Sequence, residues 1–85
     1  MVAGNQPSNG ATMNIGTACK RIAKEKRITA AEISRNTGIN QSYLSMLFNG
    51  RIDDPQAKRL YLIAHELGMT VDELVEYAME HEEDE

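Results

Sequence analysis

The stretch from residue 29 to residue 50 carries helix start and stop signals so closely spaced that only two short helices and a tight turn fit. Thr29, with a glutamate three residues later, forms a capping box that predicts the start of a helix. Gly38 tolerates a positive φ and predicts the end of that helix. Asn40 is a favoured N-cap for a second helix, which Gly50 is expected to end. The segment is therefore predicted to be helix, turn and helix.

The remainder of the chain after residue 12 is also predicted to be helical, and the predicted fold is all-α with five helices. The first helix is expected to begin near Asn14, and the fourth at Asp54, with Pro55 at its first helical position. The predicted core face of the fourth helix is Ala57, Leu60, Tyr61, Ala64 and Leu67. A second capping box at Thr70 predicts the fifth helix, with Leu74, Val75 and Ala78 facing inward. No segment is predicted to form a strand.

A chain of 85 residues is expected to form one domain, here residues 13–79. Residues 1–12 are rich in glycine, asparagine and serine, which predicts a disordered segment or an expression remnant. Residues 80–85 are expected to form an acidic tail. Cys19 has no second cysteine to pair with, which favours a reducing, cytoplasmic compartment. Its place on the apolar face of the first helix, with Ala18 and Ile22, predicts a small core residue. No apolar run approaches the roughly 18 residues of a membrane span, and no secretory leader is recognisable.

The charge distribution is more informative than the net charge of −4. Residues 13–52 contain seven basic and two acidic side chains, whereas residues 53–85 contain two basic and eleven acidic ones. Such asymmetry indicates a basic binding half and an acidic remainder, although two ordinary solvated helix faces would give the same counts. Lys20, Lys24 and Arg27 form a stripe along the first helix.

The second helix of the short pair has a face suited to reading DNA. Leu44, Leu47 and Phe48 fall on one side and are expected to anchor it. The other side carries Gln41, Ser42, Ser45, Met46 and Asn49. A glutamine can pair bidentately with adenine, serines bond to most base edges, and a methionine can contact a thymine methyl group. A short amphipathic helix with a merely polar outer face remains the alternative.

A set of short motifs in a fixed order adds to this interpretation. The motifs are Ile15-Gly16, Ile28-Thr29, Glu32-Ile33, Gly38-Ile39, Gln41-Ser42, Leu44, Leu47, Asn49-Gly50, Pro55, Leu67-Gly68 and Asp72-Glu73-Leu74. Over residues 15–76 the chain resembles the lambda-repressor-like, or Cro/Xre, family of helix-turn-helix DNA-binding domains. The resemblance implies a bacterial or phage transcriptional regulator, most simply a repressor. It would bind a double-stranded DNA operator as a homodimer through the fifth helix, with no cofactor.

The resemblance also assigns roles to individual side chains. It implies that the base-reading residues are Gln41, Ser42, Ser45 and Met46. The expected contacts to the DNA backbone, from charge and from the resemblance together, are Lys20, Arg21, Thr29, Arg35, Asn49 and Arg51.

Three departures from the family pattern bear on this assignment. Ala30 stands where the family commonly has a glutamine that supports the first reading residue, so Thr29 or a water is expected to substitute. Ala23 and Phe48 stand where many members pair an arginine with a glutamate, which indicates an exchange for apolar packing. Asp53 and Asp54 lie near the expected path of the phosphates and should weaken non-specific binding.

Other functions fit parts of the sequence. An antitoxin or a restriction-modification controller of the same fold could offer its acidic C-terminal half to a protein partner. A protein-interaction module with no DNA role is a third hypothesis. His65 and His81 are isolated, and neither a phosphate loop nor a metal-ligand motif is present, so enzymatic activity is not expected.

Overall fold

Five helices form the part of the chain that the structure, a computed structural model, describes, residues 13–81. They are α1 (Ile15–Lys26), α2 (Ala30–Thr37), α3 (Gln41–Phe48), α4 (Ala57–Glu66) and α5 (Val71–Glu80), and the same residues contain no strand. The all-α, five-helix prediction is confirmed. The predicted disordered segment lies outside the described residues, as do residues 82–85 of the predicted tail. The first tail residue, Glu80, still belongs to α5.

Side-chain caps begin four of the five helices where the sequence predicts them. Asn14 accepts hydrogen bonds from two backbone N–H groups of α1, at 2.8 and 3.2 Å. Thr29 and Thr70 each complete a capping box with the glutamate three residues later. Asn40 accepts a bond from the Ser42 N–H group at 2.7 Å. These caps satisfy backbone donors that a helix start would otherwise leave without a partner.

The predicted start of α4 is wrong by two residues. The helix begins at Ala57, its N-cap Gln56 makes no side-chain capping bond, and Pro55 lies outside it. The preceding segment is held by tertiary contacts, because Ile52 packs partly against the core and its carbonyl accepts a bond from the Asn14 amide. That anchoring delays the helix beyond the position that a proline alone would favour.

The predicted inward faces of α4 and α5 also need correction. On α4, Ala57 and Tyr61 are exposed, and the buried positions are Ile63, Ala64 and Leu67. On α5, Leu74 and Ala78 are buried as predicted, but Val75 is exposed. Val75 lies one residue from the buried Leu74, which on an α-helix is a rotation of about 100°. Tyr61 lies between the half-buried Leu60 and Leu62 and two residues from the buried Ile63.

All five helices contribute buried side chains to the core. Its largest fully buried side chains are Ile33, Leu44, Leu47, Ile63, Leu67, Leu74 and Cys19. Burial removes water from the Cys19 thiol and raises its pKa to about 12, so the thiol stays protonated. This confirms Cys19 as a core residue. No helix within residues 13–81 is both long and apolar enough to span a membrane.

The helix packing leaves one side of α3 open to solvent. Helix α1 packs against α3 and α5, α2 packs against α3 and α4, and α4 packs against α5. Gly16 of α1 allows a close approach to α3, because a Cβ atom there would lie 1.9 Å from the carbonyl oxygen of Leu47. The last turn of α3 is therefore held directly against the first turn of α1.

Candidate nucleic-acid interface

The turn between α2 and α3 is fixed by local bonds and by one buried side chain. Gly38 adopts a φ of 81°, and its N–H group bonds to the Ser34 carbonyl at 2.8 Å. The Thr37 hydroxyl accepts a bond from the N–H group of Ile39, whose side chain is buried. The turn thus sets the direction in which α3 leaves α2.

The four predicted base-reading residues share the exposed face of α3. Leu44 and Leu47 are fully buried on the opposite side and anchor the helix. The exposed residues are Gln41, Ser42, Ser45 and Met46, with Asn49 directly after the helix. Within residues 13–81 none of these five side chains makes a hydrogen bond, so their donors and acceptors are available to a ligand. The face is polar and uncharged.

An open groove of about 460 Å³ lies between α1, the start of α2 and Phe48, the last residue of α3. Its floor is apolar and consists of Ala23, Ile28, Ala30 and Phe48. Its rim carries Lys20, Lys24, Arg27 and Thr29. The predicted exchange of a charged pair for Ala23 and Phe48 agrees with this placement, since both side chains lie in the groove.

Only part of the predicted backbone-contact set meets at this groove. Lys20 and Thr29 line it, whereas Arg21, Arg35 and Arg51 are exposed elsewhere on the domain. The Thr29 hydroxyl already accepts a bond from the Glu32 N–H group at 3.1 Å. It also donates to the Glu32 carboxylate at 3.4 Å, so both of these bonds lie within the capping box.

Two rim cations, Lys24 and Arg27, are absent from the predicted backbone-contact set. Their spacing from Lys20 placed all three on one stripe of α1, but the stripe alone could not show that it borders α3. Arg27 is also the only non-glycine residue within the described chain that has a positive φ, at 60°. Its N–H group bonds to the Ala23 and Lys24 carbonyls and ends α1. Glycine is the usual residue at such a position.

A contact between an arginine and an aromatic ring beside α3 could not be predicted from the sequence. The guanidinium carbon of Arg59, on α4, lies 4.4 Å from the centroid of the Tyr43 ring, on α3. Tyr43 is half-buried and Arg59 is exposed. No carboxylate within residues 13–81 forms an ion pair with this arginine.

Two side chains near the end of α5 differ in exposure. Tyr77 packs partly against the core, and its ring stacks on that of His81 with the two centroids 3.9 Å apart. Met79 is exposed. Within residues 13–81 there is no group of histidine, cysteine and acidic side chains that could hold a metal ion.

Two comparisons of the sequence with known proteins agree with each other. Residues 20–74 match the family model described as helix-turn-helix. An uncharacterized HTH-type transcriptional regulator of Sinorhizobium fredii, y4dJ, is 38% identical over 61 residues. The match covers 72% of this chain and 78% of that relative.

Solved structures with similar folds include two regulators. The clp gene regulator ClgR from Corynebacterium glutamicum aligns with a TM-score of 0.71 at 26% identity, covering 76% of this chain and 68% of its own. The master regulator for biofilm formation SinR, solved in complex with DNA, aligns with a TM-score of 0.65 at 28% identity. That alignment covers 71% of this chain and 95% of the SinR chain.

Proposed function

Since the chain belongs to the helix-turn-helix family of DNA-binding transcriptional regulators, we propose that it is a repressor of bacterial or phage origin that inserts α3 into the major groove of an operator. The observation that carries the proposal is the exposed, uncharged and internally unbonded face of α3 beside a rim of cations. This division suits DNA, because cations bind phosphates without regard to sequence while neutral donors and acceptors read base edges.

We assign base reading to the first two turns of α3. Gln41 and Ser42 lie at its N-terminal end, which enters the groove first in this class of domain. Gln41 would pair with an adenine through its amide, and Ser45 would bond to a neighbouring base edge. Met46, 48% exposed, would contact a thymine methyl group. No enzymatic step and no cofactor are part of the proposal.

We assign phosphate binding to the cationic rim and to the start of α2. Lys20 is joined there by Lys24 and Arg27, which line the same groove. The capping box uses the N–H groups of Thr29 and Glu32 and leaves those of Ala30 and Ala31 to face a phosphate. Arg21, Arg35, Asn49 and Arg51 are further candidates because all four are exposed.

We propose that two copies bind together through α5. Val75 and Met79 lie four residues apart on one face of this helix and are 38% and 65% exposed. Tyr61, 58% exposed on the adjacent α4, adds to the apolar area. A two-fold dimer would place two copies of α3 about one helical turn of DNA apart. A protein partner on the acidic half is the competing use of this surface and would yield a heteromeric complex.

Selection from a randomised duplex pool, followed by a salt titration on the enriched site, tests the proposed function. We expect a palindromic site with half-sites about 10 base pairs apart. The logarithm of the association constant should fall with the logarithm of salt concentration by about 0.9 for each phosphate neutralised. Absence of enrichment, with weak binding that ignores salt, would overturn the proposal and favour a protein-interaction role.

Arg27→Gly should separate stability from DNA binding. The substitution relieves the left-handed backbone of Arg27, and we expect the free energy of unfolding to rise by about 0.5–1 kcal/mol. Loss of the rim cation should weaken operator binding roughly fivefold and flatten the salt dependence by about 0.9. Denaturant titration and fluorescence anisotropy measure the two effects.

The matched control is Arg27→Lys, which retains both the positive charge and the unfavourable φ of 60°. It should bind DNA almost as the unmodified protein does and gain no stability. If Arg27→Gly instead left the salt dependence intact, Arg27 would have to be removed from the phosphate-binding set.

A further inference from the structure

Arg59 and Tyr43 form a stacked pair that lies outside the predicted set of DNA contacts. The guanidinium carbon is 4.4 Å from the ring centroid, in cation–π geometry, and the pair joins α4 to the recognition helix α3. The Tyr43 ring is the only partner that the described residues offer to Arg59. Stacking uses the flat face of a guanidinium, so its five N–H donors, which point outward in the plane, remain available.

The pair lies on the flank of α3 opposite the cationic groove. Tyr43 and Phe48 are five residues apart, which on an α-helix is an angle of about 140°. The buried Leu44 and Leu47 lie between them, so each half-buried aromatic residue marks one edge of the exposed face. Phe48 borders the groove of Lys20, Lys24 and Arg27, and Tyr43 borders Arg59.

We propose that Arg59, held by Tyr43, binds a backbone phosphate of the second DNA strand, on the wall of the major groove opposite the one contacted by the rim cations. The inference rests on the proposed function and deepens it. A major groove about 12 Å wide encloses a helix about 10–12 Å in diameter, so both flanks of α3 face a sugar–phosphate backbone. Lys20, Lys24 and Arg27 would contact the phosphates on one wall of the major groove. Arg59 is the cation placed at the other wall.

The chemistry of the pair suits this role. An arginine binds a phosphate through two parallel N–H donors, and its planar group fixes the direction of approach. Without the ring beneath it, an exposed arginine side chain samples many rotamers and loses that freedom on binding. Tyr43 therefore acts as a positioning residue: it holds the guanidinium in place before DNA arrives and lowers the entropic cost of the contact.

The test measures affinity and salt dependence on the selected operator for variants of the full chain. Arg59→Gln should weaken binding about fivefold to tenfold and flatten the salt dependence by about 0.9, because one phosphate contact is lost. Tyr43→Phe retains the ring and should match the unmodified protein. Tyr43→Leu removes the ring but not the charge, so affinity should fall about threefold with most of the salt dependence retained. The affinity of the double variant, with both Tyr43→Leu and Arg59→Gln, should be no lower than that of Arg59→Gln alone.

Lys26→Gln is the control for loss of a cation elsewhere. Lys26 donates to the Leu67 carbonyl at 2.6 Å, on the side of the domain that faces α5, so its loss should leave the salt dependence unchanged. Melting temperatures verify that each variant is folded. If the unmodified protein binds with steep salt dependence and Arg59→Gln does the same, this inference is wrong and the proposed function stands. If the unmodified protein fails to bind, both are overturned.

Discussion

Gly16→Ala is expected to lower the free energy of unfolding by about 3 kcal/mol. The added Cβ atom would lie 1.9 Å from the Leu47 carbonyl oxygen and 2.8 Å from the Leu47 carbonyl carbon. Both are backbone atoms, so α1 and α3 must move apart. Alanine favours a helix by about 1 kcal/mol over glycine, which offsets only part of this cost. Denaturant titration measures the change.

Gly38→Ala is the matched control, since it adds the same methyl group where no atom lies within 4 Å. Its φ of 81° makes alanine unfavourable, by about 1 kcal/mol, but no helix has to move. Equal losses for the two variants would contradict the close approach of α1 and α3. A larger loss for Gly16→Ala would support the close approach of α1 to the last turn of α3.

Helix starts were predictable where a cap is a local hydrogen bond. Asn14, Thr29, Asn40 and Thr70 each bond to backbone groups two or three residues later, so short-range sequence contains all the atoms involved. The start of α4 was not predictable in this way. Pro55 favours a helix locally, but Ile52 is held by the core and by Asn14, which is 38 residues away in sequence. Tertiary contacts there outweigh the local preference.

The candidate site likewise has one part that local sequence predicts and another part that depends on tertiary contacts. Its proposed reading face lies on one helix, and periodicity alone separates exposed Gln41 and Ser45 from buried Leu44. Its flanks come from three different helices and depend on how they pack. Lys24 borders α3 only because α1 crosses it, and the stack of Arg59 on Tyr43 joins residues that no sequence pattern relates. The predicted inward faces were wrong at Ala57 and Tyr61 on α4 and at Val75 on α5, because each helix offers more apolar positions than its core contact uses.

Gln41→Ala is expected to weaken binding to the selected operator by about 1–3 kcal/mol, or roughly 5-fold to 150-fold. Gln41 is the first residue of α3, is exposed, and makes no side-chain hydrogen bond within residues 13–81. Its amide is therefore free to pair with a base. Because Ala30 offers no hydrogen-bonding group to hold that amide, we expect a loss in the lower part of the range. Anisotropy titrations at fixed salt measure it.

The identity of the lost contact can be established by varying the DNA as well as the protein. If Gln41 reads one base pair, Gln41→Ala should bind the operator and an operator changed at that pair with nearly equal affinity, while the unmodified protein distinguishes them. Lys20→Ala, at the rim of the groove, should instead weaken both sites by the same factor and flatten the salt dependence. A variant at position 41 that behaved like the Lys20 variant would place Gln41 on the DNA backbone, and sequence reading would then have to begin at Ser42 or Ser45.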